Sequence, residues 1–286
     1  MSQTIQYGGP VQGGASLKNG VALKNGVRVR NIALPAEHGG WGFALEPVLL
    51  GLLVAPSLTG LFLAVTTLAA FLARHPLKMA MSDRHRGRRL VRTPIAERFA
   101  LLYMAISVIS FLAAIKTASS YQFLLPLLLA SPLALIQLMF DRIGRSRAIL
   151  PELAGATAMA SIASSMALVY GWPQAPAFGL WAVLAARVVP TILYVRVRLK
   201  TLHRQEASMA WALATHVLAI AAVCALAWAK LVPALSVLAL LLLLARTLYG
   251  FSKYDRQATA KRIGFRELGF GAMTVGAVVL GYYFNL

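Results

Sequence analysis

The chain has 286 residues, 59% of them hydrophobic and only 13% charged. A soluble domain of this size is about half apolar and about a quarter charged, so composition excludes a water-soluble globular fold. The formal net charge of +19 does not call for nucleic acid, because the basic residues lie between apolar runs, where membrane topology and anionic lipid account for them.

Residues 1–33 are glycine-rich and polar, and they lack the apolar core of a signal peptide. They read as a flexible cytosolic tail, and residues 34–286 as a single transmembrane helical domain. The stretch LPAEHGGWGFALEPVLLGLL then opens the first apolar run, with Glu37 and His38 before it and Glu46 inside it. Runs near the ~20 residues that a helix needs to cross a bilayer recur at 42–56, 58–73, 98–115, 121–140, 151–170, 177–195, 209–229, 231–245 and 268–284. The expected fold class is therefore all-α, a polytopic membrane protein of about nine transmembrane helices. The first two spans are short, joined by a bare APSLTG turn. With the N-terminus in the cytosol, 26 of the 28 lysines and arginines fall on one side, leaving Lys116 and Lys230 opposite. A mis-assigned span would invert every later loop and destroy that segregation. The positive-inside rule thus points to a cytosolic N-terminus. The single cysteine, Cys224, rules out an internal disulfide.

All nine acids lie in cytosolic loops or at the cytosolic ends of spans, so any site belongs on that side. After span two comes RHPLKMAMSDRHRGRR, where Pro76 is expected to end the helix. Arg74, His75 and Lys78 there suit phosphate or carboxylate through charge-assisted hydrogen bonds, unless the loop serves only topology. Asp83 and Asp141 recur in the similar strings SDRHRGRR and FDRIGRSR. Glu152 follows Pro151 at the start of span five, where an acid complements the helix dipole. Span six carries Arg187 and Tyr194, with Arg196 beyond them. Arg187 is placed about two turns above the basic end, with Glu46 or Glu152 as its partner and His216 on span seven nearby. Gln137 and Thr215 read as interhelical hydrogen-bonding residues. No phosphate-binding loop and no cysteine–histidine metal pattern is present, so no metal-ligating residue is assigned.

LPAEHGGWGFALEPVLLGLL, ARHPLK, FDRIGRSR with PELAGA, and LYVRVRL together resemble the bacterial YwiC-like membrane proteins, from about Leu34 onward. A more distant likeness is to the UbiA-type intramembrane prenyltransferases, through the nine-helix topology and the LP…LEPVLLGLLVA entry. That likeness implies a UbiA-like helical bundle with loops at work after even-numbered helices, and a magnesium–pyrophosphate held by two aspartate-rich motifs. Here the first such place holds only Asp83 and the second, YVRVRLKTLHRQE, holds no aspartate. The cofactor is thus left unknown, with magnesium weakly supported, since Mg²⁺ demands several oxygen ligands.

The expected function is a transferase-like protein that takes a lipid-linked phosphate, pyrophosphate or quinone-type substrate in a polar cavity open to the cytosol. Glu37, His38, Asp83 and Asp141 are its acid–base candidates. Glu46, Arg74, His75, Lys78, Glu152, Arg187, Tyr194, Arg196 and His216 are its substrate-binding candidates. The alternatives are a small-anion transporter, favoured by a buried Arg187 beside Pro190, and a non-catalytic partner in a membrane complex. Expected partners are membrane lipids, anionic or isoprenoid.

Overall fold

The computed structural model describes residues 23–24, 27–35, 38–85, 87, 90–252, 255 and 259–285. Residues 1–22 of the expected tail and Glu37 lie outside them. So does the side chain of His38.

Two short strands, β1 (Leu23–Lys24) and β2 (Val27–Arg28), pair antiparallel. One helical turn follows, α1 (Arg30–Ala33). Its Ile32 is buried against Ala80 and Ala96, with Met79, Ile95 and Phe99 around them. Ile32, inside the segment read as tail, therefore packs onto the bundle.

The long helices are α2 (His38–Val54), α3 (Leu58–His85), α4 (Arg92–Thr117), α5 (Leu124–Arg142), α6 (Ile149–Tyr170), α7 (Gln174–Leu202), α8 (Ala210–Trp228), α9 (Leu235–Phe251) and α10 (Ala260–Phe284). Among the described residues, one long helix falls on each apolar run of the sequence. Seven are long and apolar enough to cross a membrane, α5 together with the 3-10 turn Tyr121–Phe123 before it. The other two, α2 and α9, are apolar but only 17 residues long.

Helices reach past the apolar runs. Pro76 does not end α3, which continues to His85 with Pro76 buried inside it. An interior proline removes one backbone hydrogen bond and bends the helix. Along its length α3 packs on α4, and that support holds the helix together beyond the missing bond.

The helices α2, α6, α7, α8, α9 and α10 pack in succession and close on one another, since α10 and α6 both pack against α2. The pair α3–α4 and α5 join this ring beside α6. Helix α6 is the most buried of the seven long candidates. Its run of Ala, Gly and Ser lets neighbouring backbones approach closely. Ser164 donates to the Ala177 carbonyl at 2.6 Å, and Trp181 Nε1 donates to the Thr157 carbonyl at 2.8 Å. Gly171 ends α6 at φ 105°, a left-handed conformation that glycine adopts without Cβ strain. On the outside, Leu101, Ile109, Leu128, Met139, Val217 and Leu218 stay exposed, an apolar surface suited to lipid.

The two ends of the bundle differ. At one, ion pairs link neighbouring helices: Arg74 with Asp141, Arg84 with Glu97, Arg92 with Asp83, Arg196 with Glu152 and Arg198 with Asp255. At the other, contacts are neutral: Thr59 with Thr117, the Tyr282 hydroxyl on the Leu231 carbonyl, and Trp172 against Tyr282.

Candidate functional site

Helix α7 builds the site. Arg187, Thr191, Tyr194 and Arg198 are all buried. Their spacing of four, three and four residues puts them on one face, because an α-helix turns every 3.6 residues. Arg187 lies nine residues before Arg196, where the basic end begins, about two and a half turns in. Helix α7 then runs on to Leu202, past its apolar stretch.

Arg187 Nη2 stands 2.8 Å from Glu46 Oε1 on α2 and donates to the Glu267 backbone carbonyl on α10 at 2.9 Å. Both ionic side chains are almost sealed, Arg187 at 1% exposure and Glu46 at 5%. Among the described residues, Glu46 Oε2 and Arg187 Nε and Nη1 have no hydrogen-bond partner. One layer toward the charged end, Arg246 of α9 pairs with the Glu267 carboxylate at 3.2 Å and donates to Thr191 Oγ1 at 3.1 Å. Its guanidinium carbon stands 4.2 Å from the Tyr194 ring centre, a cation–π contact. Arg246 Nε and Nη1 also lack a hydrogen-bond partner among the described residues. At the mouth, Asp255 accepts from Arg198 at 2.9 Å and from Arg266 at 2.7 Å.

Along about 16 Å of α7, at 1.5 Å per residue, acids and arginines therefore alternate from the charged end into the bundle. The two inner layers hold two carboxylates and two guanidiniums, a formally neutral set. Burying unpaired charge in a low-dielectric interior is costly, and pairing keeps this one bearable.

Two glycines make room for it. A Cβ at Gly271 would run into the Glu46 carboxylate and stand 2.8 Å from Arg187 Nη2. A Cβ at Gly250 would run into the Tyr194 hydroxyl. Beside this group, His216 Nδ1 meets the Ala212 carbonyl at 2.7 Å and Nε2 meets Thr247 Oγ1 at 3.0 Å. A carbonyl only accepts, so Nδ1 carries a proton, and the one Thr247 hydroxyl proton lies between Nε2 and the Leu243 carbonyl 2.9 Å away.

The other candidates sit apart from this group. Arg74 grips Asp141 through two nitrogens, at 2.6 and 3.0 Å. Gln137, with its amide oxygen turned inward, accepts from Arg74 Nη1 and Nη2 at 3.1 Å. Lys78 donates to Ser146. Asp83 accepts from Arg92 at 2.7 Å and from Thr93 at 3.0 Å, so the two Asp-Arg strings do different jobs. Asp83 ties neighbouring helices and Asp141 ties α5 to α3. Glu152 accepts from Arg196 at 2.7 Å, and Arg196 also donates to the Arg147 carbonyl. His75 Nε2 lies 3.1 Å from the Asn31 carbonyl of α1. Thr215 does not bridge helices, since its hydroxyl donates to the Trp211 carbonyl of its own helix.

Residues 34–169 match the family model described as YwiC-like protein. Over that stretch, a little under half of its length, the chain is similar to that family. The matched stretch carries α2, and so Glu46. The partners on α7, α9 and α10 lie beyond it. Comparison with curated proteins and with solved structures gives no match.

Sequence reasoning did not name Thr191, Arg246, Thr247, Asp255, Glu267 or Gly271 as site residues. The four-three-four spacing on α7 is the signal that marks its share of the site. No comparable pattern marks Glu267, an ordinary acid near a helix start.

Magnesium does not fit. Among the described residues no three of His, Cys, Asp and Glu come together as a metal-ligand group. The acid nearest to the place of a UbiA-type motif, Asp83, is held by Arg92 and Thr93.

Proposed function

We propose that the protein is a multi-pass protein of a bacterial cytoplasmic membrane, with nine crossings and a cytosolic N-terminus. It binds the phosphate head of a membrane-soluble substrate between α2, α7, α9 and α10. The observation that carries this reading is the pair Arg187 and Arg246, buried in the bundle, each with its Nε and Nη1 lacking a hydrogen-bond partner among the described residues. Guanidinium edges match phosphate oxygens in geometry and charge. A charged group inside a membrane bundle is retained for a task, because lipid penalises it heavily. Phe43 near Arg187 and Phe270 near Arg246 offer apolar surface to a chain attached to that phosphate. The arginines are sealed in the bundle, and Pro47 beside Glu46 and Pro190 three residues from Arg187 are points where the flanking helices bend.

A transferase-like role fits better than transport through the membrane, because the ionic layers descend from one end only. The acid–base candidates Asp83 and Asp141 are tied up in ion pairs, so the supported part of a transferase reading is substrate capture. Catalysis is left to the Glu37–His38 segment.

The test is titration of geranyl phosphate against protein purified into lipid nanodiscs. Saturable binding that weakens at least tenfold in both Arg187→Lys and Arg246→Lys is expected, since each loses planar N–H edges while keeping charge. Equal affinity in wild type and both variants would remove these arginines from the site. Absence of binding to wild type would remove the function.

A further inference from the structure

Resting on that reading, we infer that the phosphate enters with a proton, which is taken up by Glu46. The charge count requires a counter-ion. The inner site is neutral while empty, with Glu46 and Glu267 facing Arg187 and Arg246, so an added anion leaves it negative in a medium where unbalanced charge is costly.

The geometry identifies the acceptor. Among the described residues Glu46 has one cationic contact, the 2.8 Å approach of Arg187 Nη2, and neither of its carboxylate oxygens has a hydrogen-bond partner. Glu267 Oε2 also makes no hydrogen bond but lies 3.2 Å from Arg246, and it is the Glu267 backbone carbonyl that accepts from Arg187. A phosphate bound at the free edges of both arginines draws on the one arginine that faces Glu46, whereas Glu267 faces Arg266 as well as Arg246 and Arg187. Among the described residues no other cation pairs with Glu46. It lies against Gly271 of α10 and Gly42 of its own helix, within the field of the negative Glu267. Helices α3 and α6, which also pack on α2, bring it no ion pair among the described residues. Stranded beside another carboxylate, the Glu46 carboxylate binds a proton from water and becomes a neutral acid. No bond other than that O–H forms or breaks, and net charge in the pocket changes by one less than the anion brings. Discharge runs in reverse: when the phosphate leaves, Glu46 loses its proton and returns to Arg187. The consequence is a ligand whose capture strengthens as pH falls, independently of any metal.

The test is calorimetry of the nanodisc protein at pH 7.5 in two buffers of different ionisation enthalpy, with geranyl phosphate and with inorganic phosphate as separate probes. Wild type should take up about one proton more per bound anion than Glu46→Gln, which is already neutral and should still bind; the subtraction removes protons taken by the phosphate itself, whose second pKa is about 6. Glu267→Gln should retain the uptake. Binding with identical proton uptake in wild type and Glu46→Gln overturns this inference and leaves phosphate capture standing. Loss of the uptake in Glu267→Gln alone assigns the proton to the other acid and overturns it equally. If neither probe binds wild type, both readings fall. A signal with geranyl phosphate alone makes a lipid the source of the phosphate; equal signals make it a free anion.

Discussion

At the scale of single residues, the site depends on what is missing as much as on what is charged. Gly271 is the clearest case. Glu46 and Arg187 meet against α10 at a point where that helix has no side chain. A methyl group there meets the carboxylate and a guanidinium nitrogen together, and neither has room to withdraw inside a packed bundle. Overpacking of this kind costs about 1–3 kcal/mol. Gly271→Ala should therefore lower the thermal midpoint in detergent by several degrees and loosen the Glu46–Arg187 pair. Gly276→Ala, five residues along the same helix with nothing within 4 Å of its Cβ position, should leave it unchanged, because alanine is also the better helix former. Equal midpoints for the two variants would show that α10 yields freely at Gly271 and that the close approach is not structural.

At the scale of helices, the sequence announces existence well and partnership poorly. Continuous apolar runs mark each long helix, because backbone polar groups in lipid must be satisfied within the segment. Ends are less visible: α3 runs on through Pro76 and nine residues more because α4 supports it. Partnership is set by the rotation and crossing of helices, which composition does not carry. Glu46 announces itself as a misfit in an apolar run, yet choosing Arg187 over Glu46's other possible partners requires α2 and α7 to be placed side by side. The basic cluster after span two shows the same limit, since Arg74 and Lys78 look available in the sequence and are engaged by Asp141 and Ser146 in the fold. Their work is to fasten the end of α3 to α5 and its following loop. Asp141→Asn should then raise hydrogen-exchange rates around residues 74–85 and 137–147, while α7 exchanges as before and geranyl phosphate affinity stays within about twofold. With Arg74 about one-third exposed, the cost in global stability should be small, under about 1 kcal/mol. A drop in affinity comparable to that of the arginine variants would move Arg74 and Asp141 into the binding site.

At the scale of the whole molecule, one asymmetry organises everything else. Charge gathers at one end of the bundle, and the ionic layers of α7 descend from that end, while the opposite end is closed by hydroxyl and aromatic contacts. Insertion keeps basic segments in the cytosol, so the charged end should face the cytosol and the phosphate should arrive from there. Helix α7 reports this directly, since exposed Gln174 opens it and exposed Glu206 lies just past its other end. In a Cys224→Ala background no native thiol remains. Gln174→Cys should then react with a membrane-impermeant maleimide on intact spheroplasts, and Glu206→Cys only after the membrane is opened. The two labels must fall on opposite sides if α7 spans the bilayer, because 29 helical residues cover about 43 Å, more than the ~30 Å hydrocarbon core. Labelling of both from outside would mean that α7 does not cross. The reverse pattern would turn the bundle over and place the mouth of the arginine site outside the cell, where the phosphate would have to be supplied from the periplasmic leaflet or the medium.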